Sequence, residues 1–240
     1  MTFYRLTLLL VPLIVSPFAT RAQSPLGGPS PQPSQQQMAT WLDTAMTRLN
    51  MDRPGGAPYH LKASFAITTA DGTKSTGTLD VLHVSNGELS MTITFPDASF
   101  AIYNHNGNLT HSGSPNDPVH GKLVGLLQFA LFSDRDVDSR GNQLIYQRVV
   151  TGGVALDCID IHRSTIGKTL TPTRLCLDPK TRDLSLEQLP DGLLRTFEHP
   201  QAFGNLSIPS SVTTVVPNQF QISFHVDSLE PTTEKTISVP

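Results

Sequence analysis

From Pro58 to Leu229 one pattern recurs: apolar residues at every second position, broken by short turn sequences. Leu61, Ala63, Phe65 and Ile67 alternate with His60, Ser64, Ala66 and Thr68. Successive side chains of a strand point to opposite faces, so this period builds a sheet with one face turned inward. Asp71-Gly72, Asn86-Gly87 and Asn106-Gly107 punctuate the runs. Such dipeptides tolerate the positive φ that a two-residue hairpin turn demands. Strands are predicted over 58–68, 76–84, 89–95, 99–104 and 109–112. They resume over 143–150, 154–162, 174–177, 184–188, 193–199, 204–208, 211–216 and 219–229. Runs that follow one another so closely pair as an antiparallel meander. Leu89, Met91, Ile93 and Phe95 share one face by parity, and Phe65 and Phe100 sit on strands expected to flank it.

Two segments break the period of two. Met38, Trp41, Leu42, Ala45, Met46 and Leu49 recur at three- and four-residue steps, which predicts a helix over 38–50. The only Trp of the chain lies on its apolar face, so the helix is expected to dock on the sheet. Residues 118–133 read as a second, almost wholly apolar helix inserted in the meander, with Pro118 in its first turn. Leu123, Leu127 and Leu131 recur there at four-residue steps and form one stripe.

The chain start reads as a secretory signal. Arg5 and the amino terminus supply positive charge, the run from Leu6 to Val15 is nearly all apolar, and Thr20-Arg21-Ala22 offers a cleavage site. The apolar run is shorter than the roughly 20 residues a membrane span needs. Residues 1–22 are therefore expected to be removed and 23–37, rich in Pro, Gln and Ser, to be a disordered linker. Residues 38–231 are expected to form a single β-rich domain, and 232–240 a flexible tail. The expected location is the periplasm or the exterior. No transmembrane segment is expected after processing. The formal charge of −3 and the lack of a basic stripe argue against a nucleic-acid partner.

Cys158 and Cys176 lie in strand-like runs on either side of a polar stretch that carries Gly167. A hairpin centred there sets Cys158 opposite Cys176 and Asp160 opposite Arg174. Directly opposed residues are close enough for a disulfide. The alternative is a pair of buried thiols; export favours the bond.

No catalytic constellation stands out. No Gly-x-Ser-x-Gly elbow or phosphate loop is present. Glu187 and Glu198 are candidates for a carboxylate pair, but nothing in the sequence brings them together. Asp134, Asp136 and Asp138 begin like a calcium loop, yet Ser139 and Ile145 stand where Gly and Glu are needed. The Asn106-Gly107 turn sets His111 opposite Ile102, so His105 and His111 point to opposite faces. No metal site, cofactor or enzymatic activity is expected.

Pro58-Tyr59-His60-Leu61-Lys62-Ala63, the Cys-bearing hairpin and Phe203-Gly204-Asn205-Leu206-Ser207-Ile208-Pro209 resemble exported β domains of acidobacterial type, often found ahead of TonB-like modules. The wider architecture resembles the periplasmic lipoprotein carriers of the Lol system. That resemblance implies a mainly β fold: an antiparallel, strongly curved sheet forming an unclosed half-barrel, with helices covering an apolar cavity. No TonB-like module occurs in these 240 residues, so energy transduction is not expected of them. The implied function is a non-enzymatic binding protein for an apolar ligand such as a lipid acyl chain or a lipoprotein. Its cavity would be lined by Phe65, Leu89, Met91, Ile93, Phe95, Phe100, Leu123, Leu127 and Leu131. The alternatives are a cell-envelope module that binds a protein partner without ligand, and an unrecognised hydrolase.

Overall fold

The computed structural model describes residues 32–51, 57–84, 88–113, 142–163, 171–234 and 236–237. The period-two runs all become strands. They are β1 (Tyr59–Thr69), β2 (Lys74–Val84), β3 (Glu88–Thr94), β4 (Ser99–His105) and β5 (Asn108–Ser112). The second half supplies β6 (Gln143–Thr151), β7 (Val154–His162), β8 (Thr173–Leu177), β9 (Leu184–Gln188), β10 (Leu194–Phe203), β11 (Leu206–Val216) and β12 (Phe220–Pro231). Among the described residues there is one helix, α1 (Gln35–Leu49). The expected helix over 118–133, with Leu123, Leu127 and Leu131, lies outside the described residues, as do Asp134, Asp136 and Asp138.

All twelve strands form one antiparallel sheet in the order β5-β4-β3-β2-β1-β12-β11-β10-β9-β8-β7-β6. Two meanders are thus joined at the middle, where β1 pairs with β12 from Tyr59 opposite Pro231 to Thr69 opposite Phe220. The sheet is not closed; β5 and β6 are its edges. Bulges between Lys62 and Ala63 and between Cys176 and Leu177 interrupt the ladder, and bulges bend and twist a strand. At the β4–β5 turn, Asn106 and Gly107 have φ of 51° and 85°, as a two-residue hairpin turn requires. The registers expected from the turns are found: Ile102 faces His111, Cys158 faces Cys176, and Asp160 faces Arg174.

Two expectations need correction. The helix begins at Gln35, inside the stretch assigned to the linker. Ser34 caps it: its hydroxyl accepts from the Gln37 amide, and the Gln37 side chain accepts from the Ser34 amide. This reciprocal cap satisfies two of the free N–H groups of a first turn, which the proline-rich composition nearby obscured. The strands expected over 204–208 and 211–216 are one strand, β11, running straight through Pro209. Its partner β10 likewise passes through Pro200, which sits opposite Pro209. A proline cannot donate to a ladder, but here none is asked for. Beyond Thr196, β10 no longer pairs with β9, and before Ser211, β11 does not pair with β12. The end of this hairpin is a two-stranded projection whose outer edges accept proline.

One face of the sheet, here the inner face, carries the main core. Leu61, Ala63, Phe65 and Ile67 of β1, Met91 and Ile93 of β3, Ile159 and Ile161 of β7, and Ile222 and Phe224 of β12 are all buried in one cluster with α1. The outer face has two small clusters. Leu156 packs with the bonded cysteines Cys158 and Cys176, and Val84, Ala101 and Tyr103 pack with Ile237. The expected flexible tail is therefore held at one point. The Ile237 amide also donates to Glu88, whose other carboxylate oxygen lies 3.1 Å from His105.

Candidate functional site

The registers place inner-face residues in rows across the sheet. One row runs Phe100, Ile93, Leu79, Ala63, Val226. The next runs Gly77, Phe65, Phe224, Val212, Phe197. Phe95 meets Phe65 and Phe100 edge to face, with ring centroids 5.3 and 5.9 Å apart. This geometry suits the positive edge and negative face of aromatic rings. Gly77 leaves room for the Phe65 ring, which occupies the space a Cβ would need. Of the predicted lining residues, Phe65, Met91, Ile93, Phe95 and Phe100 are buried together on this face, and Leu89 packs partly buried against them.

The other half of the inner face is crossed by α1, which packs on β6, β9 and β11. Met38, Leu42 and Ala45 are its buried residues, spaced as one helical stripe. The ends of the helix are fixed by polar contacts. At the start, the Gln35 side-chain amide donates to the Leu144 carbonyl (2.6 Å) and accepts from the Leu144 N–H (3.0 Å). Near the end, Arg48 donates to the Thr181 carbonyl and pairs with Asp183, both at 2.9 Å. Arg182 lies over the Trp41 ring, 3.8 Å from its centroid, and also donates to the buried Asp157. Tyr146 donates to the same carboxylate at 2.9 Å, and burial together with that carboxylate raises its phenol above the ordinary value.

Beneath the C-terminal half of α1 a cavity of about 120 Å³ remains, walled by Ala45, Leu49, Leu184, Phe197, Pro200 and Pro209. Asp178, Thr181 and Asp183 stand at the same cavity and give it a polar margin.

Polar groups on the inner face escaped the sequence reading. A third row runs Ile67, Ile222, Thr214, Arg195, Glu187, Leu175, Ile159, Tyr146. Arg195 and Glu187, both buried, form an ion pair at 2.8 Å in its centre. The signal was present as parity, since Arg195 and Phe197 must share a face. A charged residue at an apolar parity is ordinarily read as a strand end. Glu198, the other half of the carboxylate pair considered, is exposed and stands apart from this arrangement. His83 is buried too, stacked on Tyr59 at 4.8 Å, and burial holds its imidazole below the usual 6.5. Among the described residues, no three His, Cys, Asp or Glu side chains converge as metal ligands. No described helix is long and apolar enough to cross a membrane.

No protein-family model matches the sequence, and no curated protein matches it. Solved structures do match. A LolA superfamily protein from Nitrosomonas europaea superposes with a TM-score of 0.50 at 9% identity, over 83% of this chain and 94% of that one. A DUF1329 family protein from Desulfovibrio piger gives 0.47 at 10% identity, over 81% and 93%. At such identities the likeness is one of fold: the chain shares the architecture of the LolA superfamily protein.

Proposed function

We propose that this protein is a non-enzymatic carrier, acting in the periplasm or outside the cell, that holds a lipid acyl chain or a lipid-modified protein. The ligand would lie between the inner face of the sheet and its helical cover. The observation that carries this reading is the construction of α1: an apolar stripe laid over an apolar face, polar contacts at its two ends, and empty space beneath it. The shared LolA superfamily fold supports it. The resemblance of residues 58–63 and 203–209 to exported domains supports the location. The cavity of about 120 Å³ is smaller than ordinary ligand pockets of roughly 300–1,000 Å³. Loading therefore requires the cover to shift, and polar tethers at a helix end are easier to exchange with water than apolar packing. In this reading Phe65, Leu89, Met91, Ile93, Phe95 and Phe100 form the floor, and Leu123, Leu127 and Leu131 complete the cover.

Organic extraction of the purified protein followed by mass spectrometry tests the reading. Titration with a fluorescent fatty acid, with Trp41 emission reporting on α1, tests it independently. Absence of copurifying lipid together with absence of saturable binding would overturn it. Leu127→Arg separates cover from core. A folded variant that has lost ligand supports a cover, whereas an unfolded one marks plain core, because an unpaired buried charge is costly. A second reading, an envelope module that binds a protein partner, draws on the apolar residues exposed along β6 and β7: Ile145, Val150 and Val154. It is favoured if a partner is captured by a protein that binds no lipid.

A further inference from the structure

On the inner face Glu187, Arg195 and Thr214 stand side by side on β9, β10 and β11. All three are nearly inaccessible, at 1%, 2% and 3% exposure. A guanidinium carries five N–H donors. The Glu187 carboxylate takes one from Nη1 at 2.8 Å, and among the described residues Nε has no hydrogen-bond partner. A buried donor left unmade is rare in native proteins. Arg195 shares its face with Phe197, the next inward residue of β10, and Phe197 walls the cavity under α1.

We propose that Arg195 is the polar anchor of the ligand chamber and that its open Nε–H receives the carbonyl oxygen of an acyl ester or amide. The proposal rests on the carrier reading above and names the part of the ligand recognised. Charge decides between acceptors. Glu187 already neutralises Arg195, so a second carboxylate or a phosphate would leave a net buried anion. A neutral carbonyl fills the vacant donor and leaves the pair balanced. An alkyl chain with an ester or amide at its head therefore fits better than a free fatty acid or a simple hydrocarbon.

The test compares ligands of equal chain length: a fatty acid methyl ester, the matching alkyl ether, and the free acid at a pH where it is ionised. The wild-type protein should bind the ester about tenfold or more tightly than the ether, the range expected for a hydrogen bond from a charged donor. The free acid should not exceed the ester. Arg195→Met alone would remove the counter-charge of the buried Glu187, so the variant used is Arg195→Met with Glu187→Leu. Apolar replacement of a whole buried pair is often tolerated. That double variant should bind ester and ether alike. Should it fail to fold, a carbonyl-labelled ester bound to the wild-type protein gives the answer, because a carbonyl bonded to a guanidinium has a lowered infrared stretching frequency. Equal wild-type binding of ester and ether, or an unshifted carbonyl band, overturns the anchor and leaves the carrier reading standing. Failure of all three ligands to bind overturns both.

Discussion

The side chain of Gln35 pairs with the backbone of Leu144 as a strand would, giving one hydrogen bond and receiving another. Leu144 lies on β6, an edge of the sheet, and edges present unmatched N–H and C=O groups that invite association. The first residue of α1 thus occupies part of the edge and fixes the helix to it.

Gln35→Ala removes both bonds at once. At about 1 kcal/mol for each net hydrogen bond, stability should fall by roughly 1–2 kcal/mol. Self-association through β6 should rise. Denaturation midpoints and light scattering measure the two effects, and an unchanged midpoint would show that the helix start contributes nothing.

The disulfide between Cys158 and Cys176 spans a separation of 18 residues. For a loop of that size, chain entropy gives about 3 kcal/mol. Replacing both cysteines by alanine should lower stability by about this amount while leaving the hairpin register intact. Thiol titration of the unfolded, unreduced protein should find no free thiol.

His83 introduces a pH dependence. Burial lowers the folded-state pKa of its imidazole below the unfolded value near 6.5. Above that value both states are neutral and His83 has no effect. As the pH falls through it, the unfolded chain takes up a proton that the folded protein resists, so stability declines with acid. The decline levels off below the folded pKa. His83→Phe keeps the stack on Tyr59 and should flatten this component between pH 7 and 5. An identical pH profile in the variant would place the dependence elsewhere.

At Gly77, an added Cβ would meet the Phe65 ring and come within 2.5 Å of the Thr94 carbonyl oxygen. Gly77→Ala should therefore destabilise the protein by about 1–3 kcal/mol, as overpacking does. Adding Phe65→Leu should recover only part of the loss, because the Thr94 oxygen belongs to the backbone and cannot turn away. Full recovery would show that the ring alone sets the limit.

Most of the strands were legible because parity and turn dipeptides are local signals. The Asn106-Gly107 turn is enough to place His111 opposite Ile102, and the stretch around Gly167 enough to place Cys158 opposite Cys176. The continuity of β10 and β11 through Pro200 and Pro209 was not legible. Whether a proline interrupts a strand depends on which of its edges has a neighbour, and that is a property of the whole sheet. The pairing of Glu187 with Arg195 was hidden for the same reason. Eight positions apart in sequence, they meet only through the β9–β10 register. Phe65, Met91, Ile93, Phe95 and Phe100 could be grouped on one face in advance, whereas the cavity beneath Ala45 and Leu49 arises from where α1 lands.

The central pairing of β1 with β12 has a consequence for how the molecule is made. Tyr59 meets Pro231 and Thr69 meets Phe220, so the middle of the sheet is its longest-range contact. Each meander can form by itself from neighbours, but the two halves join only when the last strand is available. Folds ruled by distant pairings form slowly. Without β12, β1 and β11 would each lack the neighbour that it supplies in the sheet. The join between the two halves is therefore the step that waits for residue 231.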